Sequence, residues 1–69
     1  MASFVFSVRS RQEERFFENV LNAVLVAADG YVSVCTSANS TGLIKTINTE
    51  CRSAKRAMFR CLNGESKHA

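Results

Sequence analysis

The feature that most constrains this chain is an apolar stripe in its C-terminal third. Ile44, Ile47, Cys51, Ala54, Met58 and Cys61 recur at alternating spacings of three and four. At that period side chains fall on one face of an α-helix. The spacing therefore predicts a single helix, capped by Ser40 or Thr41, running to about Leu62 and stopped by Asn63-Gly64. Its opposite surface would carry Lys45, Arg52, Lys55, Arg56 and Arg60, with Glu50 the only acid among them. Five basic residues against one acid give this segment a local +4, while the whole chain carries only +3. A helix divided in this way packs on one side and meets solvent or a partner on the other.

The rest of the chain must supply what that helix packs on. Phe4, Phe6 and Val8 alternate with Ser3, Ser7 and Arg9, as in a half-buried strand whose phenylalanines point inward. Val5 interrupts the polar face, as expected of a contact between subunits. Ser10 stands three residues before Glu13, a capping-box spacing that starts a helix at Arg11. Phe16, Phe17, Val20, Leu21 and Val24 follow at helical spacing.

The end of this helix has two readings. In one it continues through Ala27 or Ala28 and stops at Asp29-Gly30. In the other it ends near Asn22, residues 23–28 form a strand, and Asp29-Gly30 turns a hairpin. Valine-rich composition favours the hairpin, whereas a lone Asn22 is a short connection and favours the helix. Residues 31–37 read as a strand in both cases, with Val32 and Val34 on one face and Tyr31, Ser33 and Cys35 on the other. Thr36 to Thr41 would be a polar connection, and residues 65–69 a frayed tail beyond a single compact domain spanning 1–64. The expected class is α+β, ordered β-α-β-α or β-α-β-β-α. Two helices would pack on one face of a two- or three-stranded sheet.

A 69-residue chain builds a core worth only about 3–5 kcal/mol without staples, a metal or a partner. With 46% apolar residues and no proline, this one has more apolar surface than so small a volume hides. A homodimer is the expected remedy, since two strands alone make a poor sheet. The three cysteines, Cys35, Cys51 and Cys61, are odd in number and lack a CxxC pair, which points to a reducing, cytoplasmic setting. Cys51 and Cys61 are expected to be small buried hydrophobes, and Cys35 to be accessible. The segment Met1-Ala2-Ser3-Phe4 has no basic, apolar leader pattern. The apolar run from Ala23 to Ala28 is too short to span a membrane.

Chemistry-bearing motifs are few. The single histidine, His68, lies next to the last residue, a poor place for a positioned base. The cysteines have no neighbouring histidine to activate them, no nucleotide-phosphate loop occurs, and paired metal-ligand spacings are missing. Neither an enzyme nor a cofactor is expected. The best candidate surface is Lys45, Arg52, Lys55, Arg56 and Arg60, with Phe59 beside them. Such a face suits a protein partner with an acidic surface. A compact inhibitor or regulator of the kind viruses and mobile elements deploy would use it so. It also suits nucleic acid, whose phosphates it could neutralise. A third expectation is a structural or assembly subunit.

Overall fold

A computed structural model describes residues 2–64, which form β1 (Ala2–Val8), α1 (Arg11–Val26), β2 (Val32–Asn39), β3 (Gly42–Thr49) and α2 (Arg52–Leu62). The expectations of a frayed tail at 65–69 and of a His68 unsuited to act as a positioned base lie outside the described residues. β3 is the central strand of an antiparallel sheet ordered β1-β3-β2. One register runs from Ala2↔Thr49 to Val8↔Leu43, the other from Val32↔Thr49 to Asn39↔Gly42. The fold is α+β in the order β-α-β-β-α.

Local signals set the first half. Along β1, Phe4 and Phe6 are half-buried and Val8 is buried, while Ser3, Val5 and Ser7 are exposed. Ser10 caps α1: its Oγ accepts the Glu13 N–H at 3.2 Å, and Glu13 Oε2 accepts the Arg9 N–H at 2.6 Å. The first bond satisfies a first-turn N–H that the helix itself leaves unpaired, and the second ties the chain just before the cap to the same turn. Phe17, Val20 and Val24 form its buried stripe. The helical reading of residues 23–28 holds to Val26. There the last turn tightens, with the Ala27 N–H on Ala23 O at 3.1 Å and the Ala28 N–H on Leu25 O at 3.3 Å. The hairpin at Asp29-Gly30 does not form.

The third strand instead comes from the segment that the apolar stripe assigned to a helix. Residues 42–49 are β3, and the helix begins only at Arg52. Ile44 and Ile47 match a helical period by spacing alone, yet in a strand they point to opposite faces. Four of the eight residues in Gly42–Thr49 are β-branched, which favours a pleated surface. Ser40 and Thr41 form the two-residue turn of the β2–β3 hairpin rather than a helix cap. Asn39 Oδ1 accepts from both the Thr41 N–H at 2.9 Å and the Thr41 hydroxyl at 2.8 Å. Gly42 follows at φ 142°, where L side chains are strained. β2 accordingly runs two residues beyond the expected Ser37, to Asn39.

Both helices lie on one face of the sheet. Val8, Phe17, Val20, Val24, Ile47, Cys51, Ala54, Met58 and Cys61 make the core, with Phe4, Phe6, Leu21, Ala23 and Val32 packed around it. Phe6 meets Phe16 and Phe17 with ring centroids 6.2 and 5.4 Å apart. Buried Thr49 is satisfied, its Oγ1 accepting the Cys51 N–H at 3.0 Å. The Tyr31 carbonyl then takes the Glu50 N–H at 3.1 Å and the Cys51 thiol at 3.1 Å, tying the start of β2 to the end of β3. Cys51 and Cys61 are buried and Cys35 is exposed, and all three are free thiols.

Candidate interaction surface on the second helix

The physics of α2 starts from its own composition. Arg52–Leu62 contains four basic residues and no acid. Ala54, Met58 and Cys61 are its buried residues, and all three enter the core. On the far side Arg52, Arg56 and Arg60 are exposed. Spaced four residues apart, they make a row about 12 Å long at 1.5 Å per residue. Lys55 is half-buried at the flank of this row.

Phe59 belongs to the same surface. It remains 54% exposed, although its ring meets Phe4 of β1 edge-on, with centroids 5.6 Å apart and planes at 83°. One edge of the ring is thus held by the sheet while the rest faces water beside Arg56 and Arg60. A ring fixed on one side loses little freedom on binding a partner, which is what an interface anchor requires.

Lys45 does not join this surface. It lies on β3, opposite Phe6 and Thr36 in the sheet register. It is half-buried, with Nζ 4.9 Å from the centroid of Phe17. Its stem covers apolar surface and its charge rests on a ring face, a packing role. Two hydroxyls that a continuous helix would have set among the basic residues are also committed elsewhere. Thr49 is buried on β3. Ser53 donates its hydroxyl to Asp29 Oδ2 at 3.1 Å.

That last contact explains how α2 begins. Cys51, at the N-cap, makes no side-chain capping bond. Asp29, 24 residues before Ser53, supplies the carboxylate instead, accepting the Ser53 N–H at 3.3 Å as well as its hydroxyl. Donation from the Ser53 backbone N–H, helped by its hydroxyl and opposed by burial, holds the Asp29 carboxyl below its ordinary 3.8. A negative charge here also complements the helix dipole, which a first-turn arginine does not. Arg52 stands at that position, where an acidic residue would serve folding better, so its presence is not explained by helix stability. No sequence pattern announces Asp29 as a cap, because the two residues meet only through the tertiary fold.

Among the described residues no group of three or more histidine, cysteine, aspartate or glutamate side chains could hold a metal ion. An open depression lies between Val8–Arg11, Glu14 and Leu43. It coincides with the capped start of α1, where Glu13 and Ser10 already use the nearby backbone donors. No helix in the described residues is long and apolar enough to cross a membrane. Compared with known proteins, the chain matches no family model, no curated sequence and no solved structure.

Proposed function

We propose that this protein is a non-enzymatic binding module that engages an acidic protein surface through α2, acting as a small inhibitor or regulator. The observation that carries this reading is Phe59, half in water and held against Phe4, flanked by the exposed row Arg52, Arg56 and Arg60. Aromatic and arginine side chains are the types that dominate interface energies. The arginines would pair with carboxylates and set the approach, while Phe59 would fill an apolar recess between them. A purely phosphate-directed surface needs the charges but has less use for a half-exposed phenylalanine. Arg52 supports the same reading, since it sits where the helix dipole disfavours a cation.

The test is affinity capture from the native host with and without nuclease, using wild-type protein and two variants. One variant is Arg52→Glu, Arg56→Glu and Arg60→Glu together; the other is Phe59→Ala. The exposed arginines carry little packing, so circular dichroism of the triple variant should match wild type. Capture should survive nuclease and fall by orders of magnitude in the triple variant. Phe59→Ala should weaken it by about 2 kcal/mol, the scale of an interface anchor. Capture abolished by nuclease, with affinity falling steeply between about 50 and 200 mM salt, would assign the surface to nucleic acid instead. Full retention by the triple variant would leave α2 as ordinary solvated surface.

A further inference from the structure

β1 and β2 are the two edges of the sheet, and the helix layer treats them differently. Beneath β1, Phe4 is covered by Phe59, and Phe6 by Phe16 and Phe17. β2 has no such cover. Val32 and Ser33 are half-buried, but all six residues from Val34 to Asn39 are exposed, those facing the helices included. Val34 alone leaves 43% of its surface in water.

This edge also lacks the devices that keep strands apart. Natural edges are blunted by lysine, proline or a bulge. From Gly30 to Ile44 there is no charged residue and no proline. The β2–β3 register runs unbroken from Val32↔Thr49 to Asn39↔Gly42, so there is no bulge either. What remains is an eight-residue strand with a free row of backbone donors and acceptors along its outer side.

We propose that β2 is a self-association edge. Two copies of the chain pair their Val32–Asn39 strands antiparallel about a two-fold axis, joining two three-stranded sheets into one of six. Three features favour a second copy over a foreign peptide. The first is charge: a two-fold sets each strand against its own reverse, so a charge near the centre would meet its mate. β2 has none, although the chain carries +3. The second is the small size of its side chains. Ser33, Cys35 and Ser37 on one face, and Thr36 and Ala38 on the other, form no pockets for the alternate side chains of a different peptide. The third is fit. With the axis at Cys35, Val34 faces the mate's Thr36; with the axis at Thr36, it faces the mate's Ala38. Either small residue covers it. Both helix layers then lie on the same side of the extended sheet, with both α2 surfaces free. The inference is independent of what α2 binds.

Light scattering at ~100 μM protein tests it. Wild type should show about twice the 7.6 kDa chain mass. The double variant Cys35→Lys, Thr36→Lys, both at exposed positions, should run as a folded monomer. Ser7→Lys, on the other edge, should remain dimeric. Amide exchange of wild type should slow at residues 33–39 as concentration rises, a readout that stands even if the double variant does not fold. A monomeric wild type would overturn the proposal. So would a double variant that stays dimeric, or concentration-dependent protection confined to residues 2–8.

Discussion

Ile47 offers the sharpest test of how the chain is built. It sits in the central strand with none of its surface exposed, between Phe4 on β1 and Val34 on β2. Ile47→Ala removes buried methyl and methylene groups from a position that two flanking strands and a helix layer hold open. Collapse into the space is hindered, so the transfer and cavity costs together should reach about 2–5 kcal/mol. Alanine is also the poorer strand former, by up to about 1 kcal/mol. A core of this size supplies only about 3–5 kcal/mol. The alanine variant should therefore be largely unfolded at 25 °C. Ile47→Val keeps the β-branch and loses one methylene, costing about 1 kcal/mol and about 4–8 °C of melting temperature. Thr46→Val, one residue earlier and on the opposite face, should stay within about 0.5 kcal/mol of wild type. Circular dichroism melts and urea titrations at one fixed protein concentration measure all three, because self-association couples stability to concentration. Ile47→Ala within about 0.5 kcal/mol of wild type would refute the buried central strand.

Two further outcomes follow from the turns and caps. Asp29 has its carboxyl lowered by the Ser53 N–H, so its stabilising effect is full above 3.8, its ordinary value, and fades as pH falls through the lower folded value. Acid titration of Asp29→Asn should lose this component of the pH dependence, and an unchanged acid limb would count against the cap. Gly42→Ala forces a side chain onto φ 142° and brings its Cβ to 3.1 Å from Val8 O. The cost should be about 1–3 kcal/mol by urea unfolding, and a neutral outcome would mean the hairpin turn relaxes freely.

What could be read from the sequence was what local chemistry dictates. Alternation in Ala2–Val8, the Ser10–Glu13 capping box and the helical phenylalanine and valine spacing each contain their own signal within a few residues. β3 does not. Ile44 and Ile47 belong to a strand, Cys51 to a junction, and Ala54, Met58 and Cys61 to a helix, yet the six follow one another at spacings of three and four. A strand-to-helix junction without glycine or proline at Glu50-Cys51 left the period unbroken. The contrary signs were the β-branched density of residues 44–49 and the turn chemistry of Asn39–Gly42. At the candidate surface, Arg52, Lys55, Arg56, Phe59 and Arg60 lie on a real helix and their periodicity survives. Lys45 does not, because its place on the basic face opposite the stripe depended on a helix that begins later, at Arg52.

The bond from Asp29 to Ser53 has a bearing on how such a surface would be mapped by genetics. Asp29 belongs to the loop after the first helix, but it fixes the first turn of the second, and with it the heading of the arginine row. A random screen for lost partner binding should recover Asp29 alongside the arginines, although it would never touch the partner. Its signature would be partial loss that a stabilising substitution elsewhere restores. Charge reversal at Arg56 would admit no such rescue. Sorting hits by suppressibility would separate the residues that aim the surface from those that make contact.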